Sequence, residues 1–482
     1  MILRHRLQQF GLRRREKQPQ QGSWVHQHPI RFYQALAAVV MLAFAVFGVA
    51  HGVPRAHADW PGSSRQITPA SSAIGEASDA AGQLDSTSIG GCAFRRDCDD
   101  WVGTWATALT PASLNDTGRS LSGFQNESIR QIVQVSVGGN HLRIRVSNAY
   151  GQNDLVIGHA SVAKPLASST PDLDQTSIRE LSFRGRKSVT VPIGQDVLSD
   201  PIPMVVVPLS QLAVTIYLAQ ATGPTSWHWI GRQTSFVYDG DHTTEPDGSG
   251  HTGALEHFFF LAGVEVRRSP RADGAVVVLG NSISDGFGAT PDANTRWPDF
   301  LAGRLVEERH PARDFGVLNV GLSGNAVNHD GDEVGVGLPQ IGPRALARLD
   351  DHVFAHPGVR TVIVELGLND IFRHNEPPER LIAGLRQLTY VLRRRGLRVL
   401  LATLPPGAGA PNWSPERETT REAVNAYIRN TRDANGVVDI DAAVRDPLNP
   451  TLLNPLFFGI DFVHPNNDGN RAIAAVVPLQ LL

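Results

Sequence analysis

The chain has 482 residues, of which 41% are hydrophobic and 19% charged, and its formal net charge at pH 7 is −3. This length allows roughly three domain-sized units with large apolar cores, and this charge gives no electrostatic basis for binding nucleic acid. Because the only cysteines are Cys92 and Cys98, neither a cysteine-based metal site nor a disulfide-dense scaffold is possible.

A basic segment followed by an apolar run makes up the N-terminus. Several arginines precede the uncharged run at residues 35–50 (ALAAVVMLAFAVFGVA), and Ala56-His57-Ala58 supplies a small-x-small cleavage site. This order is typical of an export signal, which we assign to residues 1–58. The run is slightly short for a membrane span, which needs about 20 residues. The alternative is an uncleaved membrane anchor whose basic segment lies on the cytoplasmic side. Both interpretations place the rest of the chain in the periplasm or outside the cell.

Residues 59–100 are rich in Ser, Ala, Gly and Asp and lack periodicity, which predicts a flexible linker. Within it, Cys92 and Cys98 flank a short loop (CAFRRDC). In an exported chain we expect them to form a disulfide; a pair of free thiols is the alternative.

A β-strand pattern covers residues 101–268. Segments that alternate apolar and polar residues lie at 129–137, 141–147, 188–192, 212–218 and 257–264. Gly138-Gly139-Asn140 stands between the first two segments and indicates a β-hairpin. Several short strands separated by turn-rich loops predict an all-β sandwich or jelly roll.

From residue 272 to 482, strands alternate with helices. Candidate strands lie at 275–279, 317–320, 361–366, 398–403 and 436–440, and candidate helices at 297–308, 339–351, 378–395, 415–434 and 467–481. This order predicts a doubly wound, three-layer α/β/α domain of flavodoxin-like type with a parallel sheet. Ligand sites in such sheets lie outside the carboxyl ends of the strands.

Four polar blocks lie at strand ends or just before the last helix, so the architecture brings them to one rim. The first follows a buried strand and carries Ser282 in a tight turn (AVVVLGNSISDGFG, 275–288). Such a turn exposes a nucleophilic hydroxyl beside helix N-terminal amides, and an ordinary glycine-rich turn is the alternative. The other blocks are NVGLSGN (319–325), GLND (367–370) and DFVHP (461–465).

Together these blocks resemble the SGNH (GDSL-type) hydrolase family, whose signature residues are a Ser, a Gly, an Asn and a His in four blocks. The resemblance covers residues 272–482, with the blocks in the order of the family. The run from Ser284 to Pro298 is similar to its arylesterase/acylhydrolase branch, which is related to a xylanase-cluster esterase. Some members of that branch carry an N-terminal β domain with a WVGTWA-like start (101–106) and an SNAYG-like turn (147–151).

The resemblance implies a catalytic triad of Ser282 as nucleophile, His464 as base and Asp461 as its orienting carboxylate. It also implies an oxyanion hole made of the backbone amides of Ser282 and Gly324 and the side-chain amide of Asn369. The chemistry fits, because a serine hydroxyl needs an adjacent base and an imidazole with a pKa of about 6.5 can take and return a proton. A glycine amide can approach closely, and a neutral side-chain amide donates without a counter-charge.

One residue departs from the family pattern. Asn281 precedes the nucleophile, where the family usually has an Asp that supports the oxyanion turn. Because Asn is nearly isosteric with Asp, we expect the turn to form, with an altered rate or altered loop electrostatics.

Three other clusters have two interpretations each. The group of His329, Asp330, Asp332 and Glu333 suggests a metal site, but a solvated loop is the favoured interpretation. Asn148–Gly151 and Trp227–Trp229 either line a cleft between the domains or form a hairpin turn and sandwich core. Arg296 and Trp297 are expected to pack the first helix rather than to bind substrate.

The sequence therefore predicts an exported, two-domain serine esterase that forms an acyl-Ser282 intermediate and uses neither metal nor cofactor. Its expected substrates are short acyl or aryl esters, including acetyl groups on polysaccharide. The alternatives are a carbohydrate-binding protein with a hydrolase-like scaffold, a lipase- or lysophospholipase-like acyl hydrolase, and an acyltransferase. Contact with a membrane is expected only through residues 35–50.

Overall fold

The computed structural model describes residues 100–113, 118–267, 272–308, 314–331, 338–459 and 461–482. The expected export signal, linker and Cys92–Cys98 disulfide lie outside these residues. The described residues belong to one compact unit. Across those ranges, no helix is both long enough and apolar enough to cross a lipid bilayer.

The first part of the described chain forms two antiparallel sheets. One sheet has the strand order β1-β14-β3-β7, with β8 also paired to β3, and the other has the order β12-β11-β2-β9-β4-β5, with β6 paired to β4; β10 and β13 form a separate pair. The strands are β1 (Trp101–Ala106), β2 (Glu127–Gln134), β3 (Gly139–Ser147), β4 (Leu155–Ala163), β5 (Arg179–Glu180), β6 (Val189–Val191), β7 (Asp196–Leu198), β8 (Ile202–Val206), β9 (Gln211–Leu218), β10 (Trp227–His228), β11 (Ser235–Asp239), β12 (Gly253–Leu255), β13 (Phe258–Phe259) and β14 (Leu261–Arg267). Side chains of both sheets, such as Ile144 and Val214, meet in one buried apolar cluster. The predicted β-sandwich is therefore confirmed.

The hairpin predicted at Gly138–Asn140 is wrong, because β2 and β3 belong to different sheets. Along its whole length β2 pairs with β9, from Glu127 opposite Leu218 to Gln134 opposite Gln211. The segment between β2 and β3 is bound to β1 instead: Thr104 Oγ1 donates to the carbonyl of Val137 at 2.7 Å. Long-range pairing thus overrides the local turn signal.

The second part of the described chain contains a parallel sheet with the order β16-β15-β17-β18-β19. These strands are β15 (Ala272–Gly280), β16 (Asp314–Asn319), β17 (Val359–Glu365), β18 (Arg398–Ala402) and β19 (Gly436–Val438). Along β15, Val277 belongs to the apolar cluster on one face of the sheet, and Val276 and Val278 belong to the cluster on the other face. Because both faces are covered, the predicted three-layer α/β/α fold is confirmed.

The α-helices are α1 (Arg119–Ser122), α2 (Ser282–Asp285), α3 (Trp297–Glu307), α4 (Leu368–His374), α5 (Pro378–Arg394), α6 (Pro415–Asn430), α7 (Ile440–Val444) and α8 (Asn467–Ala475). The helix predicted over 339–351 is wrong as one element: two short 3₁₀ turns (Pro339–Ile341, Ala345–Arg348) and a π turn (Asp350–Phe354) replace it. Gly342 has a φ of 75° and is followed by Pro343, so a continuous helix cannot pass.

The sandwich covers the edge of the parallel sheet at β16. The backbone N–H of Val317 donates to Ser136 Oγ at 2.8 Å. Gly103 of β1 lies so close to Gly316 that a Cβ on Gly316 would stand 2.0 Å from the Gly103 carbonyl oxygen. The sandwich therefore closes an edge strand that would otherwise present unpaired backbone groups.

Candidate active site

Ser282 begins a short helix at the carboxyl end of β15, an inner strand of the parallel sheet. Asn281 caps this helix, and its Oδ1 accepts a hydrogen bond from the backbone N–H of Ile283 at 2.9 Å. The helix ends at Gly286, whose φ is 93°. A side chain there would be strained and would meet Arg296, whose Cγ lies 2.2 Å from the Cβ position. The sequence thus folds into a sharp strand–turn–helix that fixes the serine hydroxyl at the rim of the sheet.

His464 and Asp461 join Ser282 at this rim. Ser282 Oγ lies 2.8 Å from His464 Nε2, and His464 Nδ1 lies 2.7 Å from Asp461 Oδ2. The other oxygen of Asp461 accepts the backbone N–H groups of Val463 and His464 at 2.9 and 2.7 Å. Burial opposes ionisation of Asp461, but the hydrogen bonds from His464 outweigh it and hold the pKa of the carboxyl below its ordinary value. With Asp461 ionised, His464 keeps its proton on Nδ1 and can accept the serine proton on Nε2.

The other predicted oxyanion-hole residues follow the strands on either side of β15: Gly324 lies after β16, and Asn369 lies in α4, after β17. Gly324 has a φ of 89°, and a Cβ there would lie 2.9 Å from Ile341 Cγ1 and 3.3 Å from an Arg373 guanidinium nitrogen. Asn369 Nδ2 donates to the carbonyl of Asn325 at 3.0 Å, which leaves its second hydrogen free to donate. Within the described ranges, the backbone N–H groups of Ser282 and Gly324 donate to no other protein group. Three donors thus remain for a negatively charged oxygen.

Asp370 fixes the loop that follows Gly324. Its carboxylate accepts the backbone N–H groups of Val327 and Asn328, each at 2.9 Å. Burial raises the pKa of Asp370 to about 6, although these hydrogen bonds act in the opposite direction. The GLND block therefore contributes twice, since Asn369 supplies a donor and Asp370 supports the neighbouring loop.

Arg348 lies behind the nucleophile, and the sequence analysis did not identify it. Its fully buried guanidinium donates to the carbonyls of Gly280 at 3.0 Å and Val320 at 2.7 Å. Its Nε donates to Asn325 Oδ1 at 3.0 Å. One side chain thus joins the ends of β15 and β16, the strands that carry the first two blocks. Burial lowers the pKa of Arg348, which remains a cation at neutral pH.

Glu365 explains why Asn281 fits this chain. Asn281 Nδ2 donates to Glu365 Oε1 at 3.0 Å, and Ser284 Oγ donates to Glu365 Oε2 at 2.8 Å. The indole N–H of Trp297 donates in turn to Ser284 Oγ at 3.1 Å, which confirms its packing role. Burial raises the pKa of Glu365 to about 7. An ionised Asp at position 281 would offer Glu365 no side-chain donor and only the backbone N–H, at 3.4 Å. In the sequence, Glu365 could have been identified as the single acidic residue at the end of the apolar strand VIVE (362–365).

The histidine and acidic residues after the second block pair separately. His329 Nε2 lies 2.6 Å from Glu376 Oε2, and Asp330 binds Arg344 at 2.9 Å. Asp332 and Glu333 lie outside the described residues. In the part of the chain that the structure describes, no three His, Cys, Asp or Glu side chains are grouped to hold a metal ion.

The two sandwich segments with open interpretations have different roles. Asn148 Nδ2 donates to the carbonyls of Asn153 and Val191 at 2.9 and 3.0 Å, so this side chain stabilises a turn. Trp227 is fully buried, and its indole N–H donates to the carbonyl of Pro111 at 2.8 Å. The next residue, His228, points the other way and contacts Asp285 beside the nucleophile turn, at 2.9 Å.

This arrangement supports acyl transfer. In this geometry Ser282 Oγ can attack a carbonyl carbon while His464 Nε2 takes the hydroxyl proton, and the three donors can bind the oxygen that becomes negative. Each such donor contributes about 3–4 kcal/mol of transition-state stabilisation in comparable sites. The roles of Ser282, Asp461, His464, Gly324 and Asn369 stay predictions, and the variants Ser282→Ala and Asp461→Asn below test the first two.

Comparison with known proteins gives a family match for part of the chain. Residues 278–472 match the profile of the GDSL-like lipase/acylhydrolase family. A comparison with curated proteins gave no match.

Several solved structures are similar to parts of the chain. A GDSL-like lipase from Bacteroides thetaiotaomicron VPI-5482 is 20% identical over 43% of this chain and 88% of its own, with a TM-score of 0.32. A family two carbohydrate esterase from Clostridium thermocellum, in complex with cellohexaose, is 12% identical over 73% of this chain and 90% of its own, with a TM-score of 0.33. Axe2, an acetylxylan esterase from Geobacillus stearothermophilus, is 22% identical over 42% of this chain and 92% of its own, with a TM-score of 0.31.

The profile match includes all four blocks, and the structure places Ser282, His464 and Asp461 within hydrogen-bond distance of one another. The hydrolase domain is therefore similar to the GDSL-like lipase/acylhydrolase family over residues 278–472, and the protein is a serine ester hydrolase.

Proposed function

We propose that the protein is an exported esterase that removes short acyl groups, such as acetyl groups, from polysaccharide or from aryl alcohols. The observation that carries this proposal is the pair of hydrogen-bond distances at the triad, 2.8 Å from Ser282 to His464 and 2.7 Å from His464 to Asp461. These distances suit proton transfer in both halves of an acyl-enzyme reaction.

The reaction has two halves. Ser282 Oγ bonds to the ester carbonyl carbon, and His464 then gives the proton it took from Ser282 to the departing alcohol oxygen. The product of this half is an acyl-Ser282 ester and the free alcohol. A water molecule next attacks the acyl carbon while His464 takes its proton, and return of that proton to Ser282 Oγ releases the carboxylic acid.

The surroundings of the triad support a short acyl group on a large alcohol. The side chains of His464 and Asp461 are 19% and 33% exposed, so the triad lies at the protein surface. At the oxyanion hole, Ile341 and Arg373 crowd Gly324, and the Phe287 ring lies against His464 with ring centroids 4.4 Å apart. A long acyl chain would need a buried apolar path, because each CH₂ contributes about 0.8 kcal/mol only when it is buried.

The test is hydrolysis of p-nitrophenyl acetate, butyrate and octanoate, and release of acetate from acetylated xylan, by the full chain. Ser282→Ala should abolish all activity, and Ser249→Ala, which alters an exposed sandwich serine, should leave it unchanged. Rates that fall with chain length support the proposal. Rates that rise with chain length indicate the lipase alternative. Transfer of acetyl to an added sugar faster than hydrolysis indicates an acyltransferase. Binding to xylan without hydrolysis of any ester indicates the carbohydrate-binding alternative.

Export rests on the basic segment, the apolar run at residues 35–50 and the Ala56-His57-Ala58 site. We expect the secreted or periplasmic protein to begin at Asp59 and to contain the Cys92–Cys98 disulfide. Mass spectrometry of the mature protein, with and without reductant, measures both properties. An intact N-terminus in the membrane fraction would indicate the anchor instead.

A further inference from the structure

A buried histidine of the sandwich contacts the nucleophile turn of the hydrolase domain. His228 Nε2 lies 2.9 Å from Asp285 Oδ1, and the two side chains are only 5% and 4% exposed. Asp285 is the last residue of α2, the helix that begins at Ser282. This is a close polar contact between the sandwich and the residues that carry the nucleophile.

The partners of His228 fix its protonation. Nδ1 lies 2.7 Å from the carbonyl of Ala108, and Nε2 lies 3.0 Å from the carbonyl of Ile230 as well as beside Asp285. All three partners accept hydrogen bonds, so both ring nitrogens must carry a proton. Burial alone would lower the pKa of His228, but the Asp285 carboxylate outweighs burial and raises the pKa above its ordinary value. The contact is therefore a buried ion pair.

The other oxygen of Asp285 holds the oxyanion loop. Oδ2 accepts the backbone N–H of Ser323 at 2.9 Å and the hydroxyl of Ser323 at 2.6 Å. The loop also packs against the backbone of Asp285, since a Cβ on Gly321 would stand 2.6 Å from the Asp285 nitrogen. Ser323 directly precedes Gly324, whose N–H is a predicted oxyanion donor.

The pair lies on the boundary between the two domains. A cavity of ≈ 30 Å³ adjoins it and is lined by Trp105 and Phe258 of the sandwich as well as by Arg296 and Asn319 of the hydrolase domain. Without His228, the buried Asp285 carboxylate would keep the hydrogen bonds of Ser323 but lose its ion-pair partner. A buried carboxylate that loses its partner is unfavourable unless the loop moves or the carboxyl takes up a proton.

We propose that His228 is a positioning residue for ester hydrolysis: through Asp285 it holds the Ser323–Gly324 segment so that the Gly324 N–H meets the developing oxyanion. The sandwich is then part of the catalytic apparatus and not only an appended module. This inference goes beyond the proposed substrate and depends only on ester hydrolysis at Ser282.

The test compares an oxygen ester with its thiono analogue, in which sulfur replaces the carbonyl oxygen. Sulfur accepts hydrogen bonds poorly, so the ratio of the two kcat values reports how well the oxyanion donors act. In the full chain, His228→Gln should lower kcat for p-nitrophenyl acetate about 10- to 100-fold, less than the loss of a whole donor. KM should change less than about threefold, because the donor acts mainly in the transition state. The oxygen-to-thiono ratio should fall by a factor similar to that of kcat.

Two further variants isolate the effect. Ser323→Ala removes the hydroxyl contact from the opposite side of Asp285, so it should lower the same ratio by a smaller factor even if the His228 variant folds poorly. His257→Gln alters another sandwich histidine, whose ring lies 5.0 Å from that of Trp227, and should leave the ratio unchanged.

The outcomes separate this inference from the proposed function. Equal loss of activity on the two esters in His228→Gln and Ser323→Ala would show a purely structural role and overturn the inference. An unchanged kcat in both variants would do the same. Failure of the proposed short-acyl preference would leave the ratio measurable on whichever ester the protein hydrolyses.

Discussion

Asn281→Asp restores the residue usual in the family, and we expect it to destabilise this protein. The new carboxylate keeps one contact, because an Asp oxygen can still accept the backbone N–H of Ile283 that Asn281 accepts at 2.9 Å. The other contact changes from attractive to repulsive. In the wild type, Asn281 Nδ2 donates to Glu365 Oε1 at 3.0 Å, and in the variant a carboxylate oxygen takes the place of this nitrogen. Two ionised carboxylates would then face each other in a buried site.

The size of the effect follows from the titration of Glu365. Burial raises its pKa to about 7 from an ordinary 4.5. The folded wild type thus binds a proton that the unfolded chain has lost, so the Glu365 contribution to stability falls between pH 4.5 and 7 and then levels off. Two charges about 4 Å apart repel by about 4 kcal/mol at an effective dielectric constant of about 20. In the variant, the introduced carboxyl and Glu365 would therefore keep one proton between them well above a pH of about 7.

The measurable result is a difference in pH dependence. Between about pH 7 and about pH 8.5, Asn281→Asp should lose about 2 kcal/mol more free energy of unfolding than the wild type, at about 1.4 kcal/mol per pH unit. Denaturant unfolding at both pH values measures this loss. The double variant Asn281→Asp/Glu365→Gln gives the introduced carboxylate an amide donor and should remove the extra pH dependence. Parallel stability profiles of the wild type and Asn281→Asp would refute the reasoning.

Three further variants test other parts of the site and the domain contact. Asp461→Asn keeps an oxygen that accepts the two backbone N–H groups, but it turns an amide donor toward His464. We therefore expect kcat to fall about 10⁴-fold, as in related triads, with unchanged thermal stability. A loss of kcat below tenfold would contradict the predicted triad. Arg348→Met leaves the Val320 carbonyl and Asn325 Oδ1 without their donor, while the Gly280 carbonyl keeps the backbone N–H of Leu322 at 3.1 Å. It should lower the free energy of unfolding by about 2–6 kcal/mol, whereas Arg344→Met, which removes the exposed ion pair with Asp330, should cost less than about 1 kcal/mol. Gly316→Ala should lower the melting temperature, because overpacking against Gly103 costs about 1–3 kcal/mol; the control Gly303→Ala, which meets nothing within 4 Å, should not.

The residues of the predicted triad were identified from the resemblance to the family, and local patterns in the sequence placed them together. The apolar run before Ser282 predicts a buried strand, and the blocks at the ends of neighbouring parallel strands meet at one rim for topological reasons. Asp461 and His464 lie close together in sequence, so one turn brings the carboxylate to Nδ1 at 2.7 Å. These features depend on nearby residues and on a connection rule, which a single sequence contains.

The remaining features depend on contacts between distant residues. Arg348 lies in a stretch with a helical pattern, and nothing local shows that its guanidinium reaches the carbonyls of Gly280 and Val320. Gly138–Asn140 has the composition of a turn, but Gly139 and Asn140 belong to β3, and β2 pairs with β9 instead. His228 stands between two tryptophans, which suggests a core position, and only the packing of the two domains shows its contact with Asp285.

Two residues at this site differ from what the sequence predicts: Asn281 departs from the family pattern, and His228 contacts the nucleophile turn. Each of them donates a hydrogen bond to a buried carboxylate. Glu365 receives hydrogen bonds from Asn281 and Ser284 on the strand side of the nucleophile turn. Asp285 receives them from His228 and Ser323 on the sandwich side. Because an unpaired buried charge costs several kcal/mol, each acid constrains the residue opposite it. Substitutions at positions 281 and 228 should therefore be judged together with their acids: a hydrogen-bond donor suits a single buried acid, and a second acid or an apolar residue does not.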